Sequence, residues 1–167
     1  MISPLKNPIL QQAEAQLEGQ LTPDNQADYH KIVTAGMAVA LDKGPNGILA
    51  SLTKSKDPVG DCARGAVNLV MLMRKDAKGV MPFKAMVPAG MTLMIKALDF
   101  VQEIGLKQID SNDLVYATKV FTGMLFHILG ITQPMLDHAA GKIGSLVQDP
   151  AMIAKMNAKM APHMGGA

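Results

Sequence analysis

The chain has 167 residues, of which 49% are hydrophobic and only 18% charged, with a net charge of +2. That length fits one domain. The scattered, nearly balanced charge argues against a phosphate-binding surface and against specific nucleic-acid recognition. Cys62 is the single cysteine, so no internal disulfide can form, and no stretch reaches the about 20 apolar residues of a conventional spanning helix.

Start and stop signals punctuate the sequence throughout. Asn7-Pro8 predicts a first helix running to about Leu21, with sparse apolar positions and therefore a peripheral place. Thr22-Pro23-Asp24 starts a second, whose stripe of Tyr29, Ile32, Val33, Gly36, Met37, Ala40 and Leu41 has the spacing of one buried helix face. Gly44-Pro45 ends it, and a short helical piece follows from Ile48 to Lys54.

Asp57-Pro58 opens the next helix, with Val59, Cys62, Ala63, Ala66, Val67 and Val70 on its stripe and apolar residues on nearly all sides from Ala66 to Met73. Arg74, Lys75 and Lys78 gather before Gly79, where cations favour a helix C-terminus. Between Pro82 and Pro88 a short turn and an extended connector fit equally, because the residue before each proline is pushed away from the α conformation. Pro88 then opens a helix to Ile104, ended by Gly105. Asp110 or Ser111 caps another, with Leu114, Val115, Thr118, Phe121, Leu125, Ile128 and Leu129 as its buried side and Gly130 as its stop. Pro134 restarts the chain, and Asp149-Pro150 starts a last helix carrying Met152, Ile153, Met156 and Met160.

The expectation is an all-α protein of six or seven helices in a compact bundle with short Gly/Pro-capped connections. One domain spans residues 1–161, with 1–21 as its peripheral N-terminal helix and 162–167 as a disordered tail. The two widest apolar faces predict that Val67, Val70, Leu125 and Ile128 are the deepest residues.

Catalytic, cofactor and metal sites are all expected to be absent. His30, His127, His138 and His163 form no zinc-binding pattern, and a pairing of His127 with His138 lacks further local ligands. Cys62 sits in an apolar stripe near a helix N-terminus, a position that could lower a thiol pKa, but has no dyad partner nearby in sequence. The glycines match no phosphate-binding loop.

The remaining signal is surplus apolar surface. Leu69, Leu72, Leu93, Phe100, Val120 and Met124 fall outside the main stripes, and Ala140, Gly141 and Gly144 put small residues on one helix face. With so little charge to solvate the outside, these nine residues are the candidate contacts of a homo-oligomer, closing into a ring if the contact is head-to-tail. The 14 methionines fit either a gap-filled core or an adaptable interface.

The Met-, Ala- and Gln-rich helices, the lone cysteine, the opening Met1-Ile-Ser-Pro4 and the ending His163-Met-Gly-Gly-Ala167 together resemble small helical virion structural proteins of tailed bacteriophages, of the internal or ejection type. The resemblance covers the whole chain in style and contains no diagnostic motif, so it assigns no residue a role. It implies a non-enzymatic protein made in the host cytoplasm and packaged in the virion with other virion proteins. It also implies release ahead of the genome and assembly as a ring or tube at the host envelope membrane. Two readings from other classes stand beside it: a cytosolic helical adaptor that binds a partner helix through a Met-rich face, and a small enzyme whose site no motif reveals.

Overall fold

In a computed structural model, residues 4–42, 48–132 and 134 are described. Among them helices are the only regular elements, as expected: α1 (Pro8–Gly19), α2 (Pro23–Asp42), α3 (Ile48–Leu52), α4 (Pro58–Asp76), α5 (Phe83–Glu103) and α6 (Ser111–Ile128). No helix among the described residues is long and apolar enough to cross a membrane. Contacts divide the chain into one unit of Met1–Leu125 and a second of Phe126–Ala167. The proposed Pro150 helix, the Ala140, Gly141 and Gly144 face, His138 and the 162–167 tail lie outside the described residues.

The helix ends follow the sequence signals. Asn7 Oδ1 accepts from the Ile9 and Leu10 amides at 2.8 and 3.4 Å, with Pro8 at the first helical position. Asp57 Oδ1 accepts from the Gly60 amide at 3.0 Å. Asp110 and Asp113 cap each other's amides at 2.9 and 3.2 Å, a reciprocal box that satisfies two donors. Gly79, Gly105 and Gly130 all have φ between 70° and 78°, the left-handed turn that a side chain resists. Past Gly105 and Gly130 the next amide reaches back to a carbonyl five residues earlier, Leu106 to Val101 and Ile131 to Phe126.

In the first unit α5 is the central helix and packs most extensively on α2 and α4. It buries residues on all sides, including Ala85, Met86, Ala89, Met94, Ile95, Leu98 and Val101. It also corrects the expected boundary, because it starts at Phe83 with Pro82 as its cap residue and carries Pro88 inside. Pro88 lacks the amide that would bond the Lys84 carbonyl, and burial of Ala85, Met86 and Ala89 around it outweighs that lost bond. Two glycines set the helix spacing. A Cβ at Gly36 of α2 would lie 2.6 Å from Leu93 Cδ1, and one at Gly90 of α5 would lie 2.7 Å from Phe121 Cζ and 2.9 Å from Val70 Cγ2. The close approach at Gly36 explains why Leu93 is buried.

Tyr29, Ile32 and Val33 of α2 form a cluster with Ala85 and Ala89, flanked by Met37, Met73 and Met81. Inside the bundle the Tyr29 hydroxyl and Thr92 Oγ1 are 2.8 Å apart, so the two buried hydroxyls satisfy each other. Burial pushes the Tyr29 phenol up to about 12. Replacing Tyr29 with Phe should cost about 1–3 kcal/mol, because Thr92 then keeps its desolvation penalty without its partner. Urea unfolding of Tyr29→Phe and of Tyr29→Phe/Thr92→Val checks this. The double variant should recover most of the loss.

The expectation for α6 needs correcting. Val67, Val70 and Leu125 are fully buried, but Ile128 is 44% exposed and Val115 is 53% exposed. Within the first unit α6 buries only Ala117, Phe121 and Leu125, a narrow line four residues apart. Val115 turns away from that line, and Ile128 lies beyond Leu125, where the contacts of the first unit end. The second unit is described only over the last residues of α6 and the Gly130 turn.

Candidate functional site: an apolar groove on α2, α4 and α5

In the first unit a groove of about 410 Å3 opens between α2, α4 and α5, the size of a small-molecule site. Small side chains make it: Ala38 of α2, Gly65 and Ala66 of α4 and Ala97 of α5 leave room that larger residues would fill. Met37, Leu52, Leu69, Leu93 and Phe100 supply the apolar walls. Leu41, in the last helical turns of α2 at the groove's edge, is 63% exposed, although its stripe predicts burial.

One end of the groove is polar. Lys96 Nζ pairs with Glu14 at 2.8 Å, and Lys6 Nζ pairs with Glu103 at 2.7 Å. Asp99 is only 5% exposed. Its Oδ1 accepts from the amides of Lys6 and Asn7 at 3.2 Å each, and its Oδ2 shares the Lys6 amide at 3.3 Å. The Asn7 side-chain amide donates to Gln102 Oε1 at 2.8 Å and to the Ile109 carbonyl at 2.9 Å. The segment before α1 is thereby laced to α5 and to the loop after it, with buried Leu5 at the groove wall.

Cys62 also lines the groove and is buried. Its thiol is pushed up to about 12, chiefly by burial and further by Asp61 and Asp57. The helix N-terminus therefore does not lower it as the sequence position allowed, and at neutral pH it behaves as a small apolar side chain. Among the described residues no group of three His, Cys, Asp or Glu could hold a metal ion.

A second polar cluster lies at the start of α4. Asp57 Oδ2 accepts from Arg64 Nη2 at 3.2 Å and from the Tyr116 hydroxyl at 2.9 Å, while Asp61 accepts from Ser55 and Arg64 at 2.5 Å each. It ties α6 to α4. Burial acts to raise the Asp57 pKa, but the Gly60 amide, Tyr116 and Arg64 together hold it below the ordinary carboxylate value. A depressed folded pKa stabilises at pH above the unfolded value near 3.8 and loses that contribution as pH falls through the folded one. Asp57→Asn keeps a capping side chain but no charge. The wild-type advantage in urea midpoint over this variant should therefore be constant above about pH 5 and shrink below about pH 4. An advantage that does not change between pH 6 and pH 3 would refute the assignment.

The nine candidate interface residues separate in the structure. Leu69, Leu93 and Phe100 meet at the groove. Leu69 and Leu93 are buried, which corrects their assignment to the surface surplus: α4 and α5 are each packed on more than one side, so residues off the main stripe still find neighbours. Leu72 is exposed, Val120 and Met124 are half-buried on α6, and Ala140, Gly141 and Gly144 lie outside the described residues. The sequence reading missed the groove itself, whose signal was the run of small residues on α2 and α4. It also missed Asp99 and the tertiary contacts of Asn7, since polar residues buried by distant partners leave no trace in periodicity. No family model, no curated protein and no solved structure matches the chain.

Proposed function

We propose that this chain is a non-enzymatic helical protein that works by self-association, of the kind carried inside tailed-bacteriophage virions and released to build a ring or tube in the host envelope. The observation that carries the self-association is the set of large apolar side chains left in solvent: Leu72 in α4, Val80 in the α4–α5 turn and Phe83 at the start of α5, with Val80 79% exposed. Val115, 53% exposed, adds apolar surface on α6. Such residues are costly to leave in water once they form a contiguous patch, and identical chains are the nearest partner. The virion half of the reading rests on the resemblance in composition and style. Entry into an envelope would require several chains to shield one another's backbone and polar faces, because the described helices are too short or too polar to span alone.

Light scattering at micromolar concentration, with and without mild detergent, tests the association. A defined oligomer is expected, and Val80→Lys/Phe83→Lys should dissociate it. Peptides of this chain in purified particles of the encoding phage would establish the virion half. A clean monomer in both conditions would remove the oligomer and the envelope assembly together. It would favour the adaptor, for which the Met37-lined groove is the specific observation.

A further inference from the structure

We propose that the groove on α2, α4 and α5 is a binding site for a lipophilic cation, a molecule with an apolar body and an amine or quaternary ammonium head. This goes beyond self-association and does not depend on it.

The argument starts from charge. Three carboxylates stand at the polar end of the groove or behind it: Glu14, Asp99 and Glu103. Two ammonium groups face them, and both are committed, Lys96 to Glu14 at 2.8 Å and Lys6 to Glu103 at 2.7 Å. Among the described residues Asp99 has no cationic partner within ion-pair distance. It is the most buried of the three, and the groove wall includes it. Among the described residues these three carboxylates stand against two ammonium groups, which leaves one more negative than positive charge at this end of the apolar cleft.

A buried carboxylate that forms no direct ion pair carries a desolvation cost, and the Lys6 ammonium, already on Glu103, acts on Asp99 only from beyond contact. Two backbone amides offset part of it, but a carboxylate accepts about four hydrogen bonds, and Oδ2 has only a shared contact at 3.3 Å. A cation placed there gains a Coulomb attraction strengthened by the low surrounding dielectric. The rest of the ligand follows from the walls. Leu69, Leu93, Phe100 and Met37 offer apolar surface and little else, and Met37 adapts to differently shaped bodies. An anion of the same shape meets Asp99 and Glu103 unfavourably, and a neutral analogue gains only the apolar term.

The test uses the full chain and three ten-carbon probes below their micelle-forming concentrations: decyltrimethylammonium, decyl maltoside and decanoate. Calorimetry should show one decyltrimethylammonium bound per chain, at least ten-fold tighter than decanoate and tighter than decyl maltoside, with affinity falling as salt rises. Ala97→Phe fills the groove and should abolish this binding while leaving the helical spectrum and melting temperature intact. Asp99→Asn should keep weak binding and level the three probes. If Asp99→Asn fails to fold, the wild-type ranking and Ala97→Phe still decide. Equal affinities, a preference for decanoate, no binding, or cation binding that persists in Ala97→Phe would each overturn the proposal.

Discussion

Phe121→Ala should cost about 3–5 kcal/mol of unfolding free energy, among the largest effects of any single substitution in the first unit. Phe121 is fully buried, and its ring edge occupies the space that the missing side chain of Gly90 leaves between α5 and α6. Truncation removes most of the apolar area by which α6 is held and opens a cavity that Gly90 and Val70 cannot close. The same contact predicts that the cost of a side chain at position 90 depends on the ring. In the wild-type background Gly90→Ala should destabilise by about 1–3 kcal/mol, because its Cβ would meet Phe121 and Val70 below 3 Å and neither wall can retreat without moving a helix. In the Phe121→Ala background the ring is gone, and the about 1 kcal/mol by which alanine exceeds glycine in a helix offsets the remaining contact with Val70. Urea unfolding of the four proteins gives the coupling directly. Additive effects would mean that the ring and Gly90 do not touch in solution.

Leu10→Ala should be nearly as severe, at about 2–5 kcal/mol, but its effect should be local. Leu10 is the one buried side chain of α1, and the extensive contacts of α1 are with α5 alone. With Leu10 truncated, the helix keeps its Asn7 cap and its Lys96–Glu14 ion pair, a mostly buried pair whose attraction is largely offset by the desolvation of its two charges. A 12-residue helix is marginal in water without tertiary packing. Hydrogen exchange should therefore show amides from Gln11 to Gly19 losing protection while those of α5 keep theirs. Uniform loss across both helices would mean that α1 and the core unfold as one cooperative unit.

These two sites show what the sequence made legible. Asn7-Pro8, Asp57-Pro58 and Gly105 act within a few residues of themselves, and they marked helix ends where the structure has them. The stripes of α2 and α4 identified Tyr29, Ile32, Val67 and Val70 as core, since a face with apolar spacing is buried by whatever packs on it. Centrality was not legible. The sequence of α6 is as apolar as that of α5, yet among the described residues of the first unit α5 buries far more of its side chains, and no periodicity within a helix counts its neighbours. Pro88 was misread for the opposite reason: the local rule made it a helix start, and burial beyond the reach of any local rule carried the helix through it. The groove was illegible because it is an absence of side-chain volume shared among three helices.

The lacing of Lys6 and Asn7 to Asp99 bears on the order in which the molecule is made. The two ends of that contact lie 92 and 93 residues apart in the chain. At about 5–20 residues per second of synthesis, the segment before α1 is made roughly 5–20 seconds before its acceptor. Closing a loop of that length costs about 4 kcal/mol of chain entropy if α2 to α5 are unformed, and far less once they have folded and brought the acceptor near. The earlier-made side of this contact is therefore among the last segments to settle, and the Asp99 carboxylate is buried only when it arrives.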